Sequence, residues 1–208
     1  MYVYIMENIN QIIYINLDKR EDRKNELLDQ LKNIDFPENK ITRLSAVNME
    51  DTPGIGCCYS HLNAMLLAKE NNYKNVLILE DDFDFLVTKE ELETNLQAFF
   101  DLNIEWDVLF LSRRIMNSEE VNDIIVKGLE VQTASGYLVN GTYYDKLITN
   151  YTEGINLYMQ TKEHWNYQND QYWKKLQLTD NWYCFKIIMG KQRNSYSDLG
   201  KKDCCPEF

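Results

Sequence analysis

The sequence lacks long hydrophobic runs and a basic leader. Nowhere in its 208 residues do eighteen apolar residues follow one another, and the opening MYVYIMENINQ contains Glu7 and no Lys or Arg. A membrane-spanning helix needs about 20 mostly apolar residues, and a signal peptide needs a positively charged start. The sequence therefore predicts neither, and we expect a cytoplasmic protein.

Positive charge is also in short supply. The 33 acidic residues outnumber the 22 Lys and Arg, which gives a formal net charge of -11. Non-specific binding to nucleic acid depends on Lys and Arg that neutralise phosphates. We therefore expect no broad nucleic-acid binding, and an anionic ligand would need a local basic site or a bound cation.

The cysteines show no zinc-site spacing, and no repeat or linker divides the chain. The five cysteines are an odd number with two adjacent pairs: Cys57, Cys58, Cys184, Cys204 and Cys205. This usage indicates a reducing compartment. With 44% apolar residues and no internal boundary, the chain is long enough for one sizeable core, and we expect a single domain.

The sequence does contain alternating strand and helix patterns. Strands are predicted at 11–17, 41–47, 75–80, 106–112, 131–139 and 182–189. Helices are predicted at 19–34, 56–71, 89–100, 143–150 and 170–177, with an aromatic-rich loop at 152–169. The βαβαβ order predicts an α/β fold with a mostly parallel sheet and helices on both faces.

One segment stands out because a buried strand runs directly into acids. In NVLILEDDFDFL, apolar residues are followed by Glu80, Asp81, Asp82 and, two residues later, Asp84. Ligands of open α/β sheets bind at the carboxyl ends of the strands. Oxygen ligands there suit Mg²⁺ or Mn²⁺, which would offset the repulsion and bridge nucleotide phosphates. The alternative is that Asp82 and Asp84 face solvent or cap the next helix.

A basic turn follows the first strand. Asp18 and Glu21 have capping-box spacing, which predicts that the helix starts at Lys19. Arg20 and Arg23 would then share a face near the positive helix end, an arrangement suited to an anion. An ordinary surface network with neighbouring acids is an equal alternative.

A strand that ends in acids is compatible with two reaction classes. Receiver domains of response regulators need a further Asp at the end of a later strand. The strand WDVLFLS instead ends in Ser112 and has Asp107 at its beginning. Glycosyl transfer from a nucleotide sugar uses an acid-x-acid motif to hold Mn²⁺ or Mg²⁺ on the diphosphate, together with a basic feature near the first strand. The sequence fits this second class better.

Six sequence blocks then occur in an order that resembles glycosyltransferase family 25. They are INLDKREDR, RLSAVN, GIGCCYSHLNAMLLA, VLILEDD, WDVLFLS and TASGYLVN. This family includes bacterial lipooligosaccharide β-galactosyltransferases and collagen hydroxylysine galactosyltransferases. The resemblance implies a GT-A fold, a UDP-sugar donor, a divalent metal and inversion at the anomeric carbon. It also implies one domain over 1–208, with a nucleotide-sugar-binding half at 1–110 and an acceptor side at 111–208.

The resemblance implies roles for single residues. Glu80 and Asp82 would hold the metal. Asp170 would be the general base, with helix capping as its alternative role and Glu153 and Glu163 as competing bases. The residues implied at the nucleotide sugar are Asn16, Arg20, Arg23, Ala46, Asn48, Ser60, His61 and Asp81. Without the resemblance, His61 would be taken for a hydrogen-bonded structural residue. Trp165, Trp173 and Trp182 could contribute to an acceptor groove, but packing is the expected role of most of the aromatic residues in this region.

The sequence as a whole predicts a metal-dependent, inverting glycosyltransferase. The expected donor is UDP-galactose or UDP-glucose, and the acceptor is a hydroxyl of a glycan or a hydroxylated protein. Two alternatives remain open: a catalytically silent GT-A domain that binds a nucleotide sugar, and a receiver-like signalling domain. The sequence does not define the oligomeric state.

Overall fold

The structure is a computed structural model that describes residues 8–197 and 202–204. The first seven residues, on which the expectation of no signal peptide partly rests, and Cys205 lie outside the described residues. The strands are β1 (Gln11–Asn16), β2 (Ile41–Ser45), β3 (Asn75–Glu80), β4 (Phe83–Phe85), β5 (Val108–Phe110), β6 (Arg114–Glu120), β7 (Ile125–Gln132), β8 (Gly136–Asn140), β9 (Trp182–Phe185), β10 (Gly190–Gln192), β11 (Ser195–Ser197) and β12 (Lys202–Cys204). The helices are α1 (Glu21–Asn33), α2 (Pro53–Glu70), α3 (Lys89–Asp101), α4 (Tyr144–Thr161), α5 (His164–Tyr167), α6 (Asn169–Tyr172) and α7 (Lys174–Gln177).

Eight strands form one large sheet in the order β2-β1-β3-β8-β5-β9-β7-β6. β1 is parallel to both β2 and β3, and β5 is parallel to β9. β7 and β8 run against their neighbours, so six of the eight strands point the same way. The predicted α/β fold with a mostly parallel sheet is confirmed. The antiparallel β8 between β3 and β5 excludes the all-parallel sheet of a receiver domain.

Helices cover both faces of the sheet, as predicted. Successive side chains of a strand point to opposite faces. In β1, Ile13 packs in the core layer beneath α2 and α4, whereas Ile12 packs in the layer beneath α1 and α3. None of the helices within the described residues is long and apolar enough to cross a membrane.

The predicted start of the first helix is wrong. α1 begins at Glu21, and its N-cap residue Arg20 makes no capping hydrogen bond with its side chain. Asp18 does not cap this helix because its carboxylate accepts hydrogen bonds from Arg43 at 2.6 Å and from Ser45 at 2.9 Å. The partners of Asp18 come from β2, which local sequence spacing cannot reveal.

The predicted strand 131–139 is two strands. Thr133 has a positive φ of 79°, which ends β7 and separates it from β8. β7 pairs with β6 and β9, whereas β8 lies between β3 and β5. The β6–β7 hairpin was not predicted because RIMNSEE is mostly exposed and polar.

The region after residue 141 is more helical than predicted. The helix expected at 143–150 continues to Thr161, and the expected loop at 152–169 holds the end of α4 and all of α5. The helix expected at 170–177 is two short helices, and the last predicted strand ends at Phe185. Trp173 and Trp182 are fully buried in the core, and Trp165 is 60% exposed. Packing is therefore the role of the two buried tryptophans.

Candidate functional site

The candidate site lies at the carboxyl ends of β1, β2 and β3. Because β1 and β3 are parallel and Ile15 is aligned with Glu80, the next residues of the two strands meet. The Asn16 amide donates to Asp81 Oδ2 at 2.8 Å and to the carbonyl of Arg20 at 3.0 Å. Arg43 donates to the Asn16 side-chain oxygen at 3.0 Å. Asn16 thus links the end of β1 to the acid cluster, defined here as Glu80, Asp81 and Asp82.

Arg23 is the main cation at the acid cluster. It is a buried residue of α1, and its Nη1 lies 2.9 Å from Asp81 Oδ1 and 3.3 Å from Asp82 Oδ2. Arg20 lies at the helix end with its guanidinium 2.7 Å from Asp22. These contacts place Arg23 at the acid cluster and Arg20 beside Asp22.

The surroundings of Asp82 disfavour its ionised form. Desolvation and then the charge of Glu80 raise the pKa of Asp82 from 3.8 to about 7, although Arg23 acts in the opposite direction. Its Oδ1 atom is buried and has no hydrogen-bond partner among the described residues. An unpartnered carboxylate oxygen beside a second carboxylate is a suitable ligand for Mg²⁺ or Mn²⁺. Glu80 and Asp82 therefore fit the metal that the sequence predicts.

The pKa of Glu80 is shifted in the opposite direction, below its ordinary value. Desolvation raises the pKa of Glu80, but the hydrogen bond and charge of His61, followed by Arg23, hold the pKa below its ordinary value. His61 Nε2 lies 3.1 Å from Glu80 Oε1, and the Gln192 amide donates to Oε2 at 3.2 Å. The carboxylate form of Glu80 is thus favoured within the cluster.

His61 joins the acid cluster to the protein interior. Its ring is fully buried, and Nδ1 lies 2.8 Å from the Tyr137 hydroxyl, which lies 3.1 Å from the Tyr151 hydroxyl. His61 is therefore both a buried hydrogen-bonded residue and a direct neighbour of Glu80.

Cys57 also borders Glu80. It lies one helical turn before His61 on α2, with Sγ 3.9 Å from Glu80 Oε1. Desolvation and then the charge of Glu80 raise the pKa of the Cys57 thiol, and Asp170 adds to this effect. The sequence interpretation found no zinc-site spacing among the cysteines and used them to judge the redox compartment, but it did not consider the four-residue spacing of Cys57 and His61.

The predicted residues after β2 hold the loop that enters α2. Ala46 N donates to the carbonyl of Asn16 at 3.0 Å. The Ser60 hydroxyl accepts from Val47 N at 2.8 Å and donates to the carbonyl of Gly56 at 2.8 Å. Asn48 lies within this loop and is exposed. Ala46 and Ser60 thus fix the β2–α2 loop, while contact with a nucleotide stays a prediction.

Asp170 is half-buried on α6, whose N-cap residue is Gln168. Capping is therefore not its role. Asp170 Oδ2 accepts a hydrogen bond from Thr133 N at 3.2 Å. Desolvation raises the pKa of Asp170, and the charge of Glu80 contributes to the rise. Asp170 is thus electrostatically coupled to the acid cluster.

The two competing bases have surface partners. Glu153 is exposed on α4 and pairs with Lys175 at 3.0 Å. Glu163 accepts a hydrogen bond from Asn166 at 2.8 Å. The charge of Glu80 contributes to the raised pKa of Asp170, whereas the hydrogen bond and charge of Lys175 lower the pKa of Glu153.

β10 brings in residues that the sequence interpretation missed. β10 is antiparallel to β4, which places Gln192 opposite Phe83 and next to the acid cluster. The following Arg193 donates from Nε to Asp84 Oδ1 at 2.8 Å and also pairs with Glu26. The contact spans more than a hundred residues of chain, so no local pattern indicates it.

No protein-family model matches the sequence. It is 27% identical to procollagen galactosyltransferase 1-B from Xenopus laevis over an alignment of 164 residues, which covers 64% of this chain and 27% of that protein. Procollagen galactosyltransferase 1-A from the same organism is 26% identical over the same length. The chain thus spans less than a third of the curated relatives that it matches.

Solved structures share the fold at low identity. A glycosyltransferase involved in the glycosylation of the major capsid of PBCV-1 aligns with a TM-score of 0.57 and 9% identity, covering 92% of this chain and 95% of that one. The glycosyltransferase GlyE from Streptococcus pneumoniae TIGR4 aligns with a TM-score of 0.50 and 12% identity, covering 86% and 45% of the two chains. The fold is similar to glycosyltransferases of the GT-A type. These structures show the fold alone, and the two curated relatives named above are galactosyltransferases.

Proposed function

We propose that this chain is a metal-dependent, inverting glycosyltransferase that moves galactose or glucose from a UDP-sugar to a hydroxyl of a glycan or protein. The supporting observation is the buried, unpartnered Asp82 Oδ1 beside Glu80 at the carboxyl edge of the sheet. The chain that contains this site is similar in sequence to procollagen galactosyltransferases. The narrower assignment to family 25 rests on the sequence blocks.

The donor would bind across the ends of β1 and β3. Glu80 and Asp82 would hold Mn²⁺ or Mg²⁺, which when bound neutralises charge on the departing diphosphate. Arg23 holds Asp81 and Asp82 in place through its ion pairs. Asn16 fixes the second oxygen of Asp81, and His61 and Gln192 hold the two oxygens of Glu80.

Asp170 is the proposed general base. Inversion in one displacement needs a base on the face of the sugar opposite the leaving group. The acceptor oxygen would bond to the anomeric carbon, the bond to UDP would break with its electron pair, and the acceptor proton would move to the Asp170 carboxylate. A raised pKa makes a carboxylate a stronger base, and the Thr133 amide orients it.

A nucleotide-sugar screen tests this proposal. With Mn²⁺ present we expect slow hydrolysis of UDP-galactose or UDP-glucose, and with a chelator we expect none. UDP binding without turnover of any nucleotide sugar would favour the catalytically silent alternative. Absence of both metal-dependent binding and turnover would contradict the proposal.

Arg20→Ala should weaken UDP and UDP-sugar binding much more than uridine binding. A charge-assisted hydrogen bond to phosphate contributes about 1.5–3 kcal/mol, or about 10- to 150-fold in affinity. Calorimetry with UDP and uridine measures the difference. Lys24→Ala is the matched control, since Lys24 is a cation near the start of α1, whose N-cap residue is Arg20, and pairs with Glu21. A change below about threefold for UDP would assign Arg20 to its surface pair with Asp22.

A further inference from the structure

We infer that Cys57, His61 and Glu80 form a second metal site. This site would be selective for a divalent ion that favours sulfur and nitrogen ligands, such as Zn²⁺. The three residues are called the thiol site below. Cys57 and His61 are four residues apart on α2 and so project from one face of the helix. Glu80 ends β3 and lies against that face.

The atomic separations suit a small tetrahedral ion. The Cys57 Sγ, His61 Nε2 and Glu80 carboxylate atoms all lie within 4.8 Å of one another. Glu80 Oε1 is 3.1 Å from His61 Nε2 and 3.9 Å from Cys57 Sγ. Tetrahedral zinc, with bonds of about 2.0–2.3 Å, places nitrogen and oxygen about 3.4 Å apart and sulfur and oxygen about 3.6 Å apart. Shifts of a few tenths of an ångström would therefore bring the two pairs that include Glu80 to these separations, and the sulfur–nitrogen pair lies within 4.8 Å.

The support behind His61 is of the kind that metal-binding histidines have. A ligating His gives its other ring nitrogen to a hydrogen-bond partner, which fixes the ring and its tautomer. His61 Nδ1 lies 2.8 Å from the Tyr137 hydroxyl, and the two rings stack with centroids 5.8 Å apart. With Nδ1 engaged in the interior, Nε2 is the ring nitrogen that faces Glu80.

The ligand types indicate which ions bind. Thiolate and imidazole favour Zn²⁺ or Co²⁺, whereas Mg²⁺ and Mn²⁺ favour oxygen ligands. Cys57 is half-buried and the Glu80 side chain is 21% exposed, so an ion can enter from their side. As the sulfur–metal bond forms, the thiol proton leaves to solvent. Water would complete the coordination. Among the described side chains, this is the one trio of His, Cys, Asp or Glu ligand atoms so close together.

The thiol site shares Glu80 with the proposed donor metal. This consequence rests on the proposed function. An ion bound to Cys57, His61 and Glu80 occupies the carboxylate that Mn²⁺ would need, so Zn²⁺ should inhibit Mn²⁺-dependent UDP binding. The thiol site would thus make donor binding sensitive to zinc.

Cobalt absorption tests the thiol site without any substrate. On titration with Co²⁺ we expect a near-ultraviolet thiolate-to-cobalt charge-transfer band in the parent protein, and loss of that band in Cys57→Ser. Cys58→Ser is the matched control and should keep the band, because Cys58 is the adjacent cysteine and its sulfur lies 4.0 Å from Asn169 Oδ1 instead. Circular dichroism checks that both variants are folded. No band in the parent, or an unchanged band in folded Cys57→Ser, would overturn the inference.

Calorimetry of UDP with Mn²⁺, in the presence and absence of Zn²⁺, tests the shared carboxylate. We expect Zn²⁺ to weaken UDP binding in the parent and in Cys58→Ser, and Cys57→Ser to need at least about tenfold more Zn²⁺ for the same effect. A cobalt band without zinc inhibition would keep the thiol site and contradict the shared use of Glu80. Metal-dependent UDP binding without a cobalt band would keep the proposed function and reject the thiol site.

Discussion

Asp170→Asn is expected to lower the rate of sugar transfer by about 10²–10⁴-fold, the usual contribution of a general base. Asparagine can still accept the hydrogen bond that Thr133 N donates at 3.2 Å, so the local structure should persist. It cannot accept the acceptor proton at neutral pH. UDP affinity should stay near the parent value, because the donor contacts proposed here lie at β1 and β3. Steady-state transfer to the acceptor and calorimetry with UDP measure the two effects separately.

The two other acids considered as base supply matched controls. Glu153→Gln and Glu163→Gln make the same chemical change at residues whose partners are Lys175 and Asn166. Both variants should transfer sugar at close to the parent rate. If Asp170→Asn retains near-parent transfer while one of the controls loses it, the base is the acid replaced in that control. Asp170 then only orders the bend at Thr133.

The first half of the fold could be predicted because its signals are local. β3 has the predicted bounds of 75–80, and α3 differs from its prediction by one residue at its end. α2 begins at Pro53, slightly before the predicted residue, because proline fits the first turn of a helix. Strands buried on both faces appear as short continuous apolar runs, and amphipathic helices leave a helical periodicity in the sequence.

The second half was harder because its structure depends on distant contacts. β8 lies between β3 and β5, so its neighbours come from the first half of the chain. The positive φ of Thr133 that separates β7 from β8 is unusual for a β-branched residue. The polar strand β6 has no alternating apolar pattern and exists through its pairing with β7.

The residues of the candidate site that directly follow a strand could be predicted from the sequence. The residues that reach the site through pairing of distant strands could not. Glu80, Asp81 and Asp82 stand out in sequence because acids directly follow apolar residues. Their partner Gln192 is more than a hundred residues away on β10 and gives no such signal. Arg23 was chosen as a phosphate ligand, yet its burial against Asp81 and Asp82 makes it first of all the cation that stabilises the acid cluster.

Asp82→Ala is expected to abolish Mn²⁺-dependent UDP binding. The variant removes the carboxylate with the unpartnered buried oxygen, leaving Glu80 as the only proposed protein ligand of the metal. Asp84→Asn is the matched control, since Asp84 lies in the same acidic segment but pairs with Arg193. This control should bind UDP with Mn²⁺ as the parent does. Calorimetry that finds undiminished metal-dependent UDP binding in Asp82→Ala would contradict the metal assignment.

The same substitution should change the pH dependence of stability in the metal-free protein. The pKa of Asp82 is raised from 3.8 to about 7 in the folded state, so the unfolded state releases the proton first as pH rises. Ionisable Asp82 therefore destabilises the fold increasingly between these two values, by at most about 4 kcal/mol above pH 7. Relative to the parent, Asp82→Ala should gain free energy of unfolding as pH rises from 4 to 7, with no further gain at higher pH. Denaturant unfolding in the presence of a chelator measures this difference. If the difference in free energy of unfolding between Asp82→Ala and the parent stays constant across this range, Asp82 ionises in the folded state as it does in the unfolded chain. The electrostatic reason for a cation beside Glu80 would then be removed.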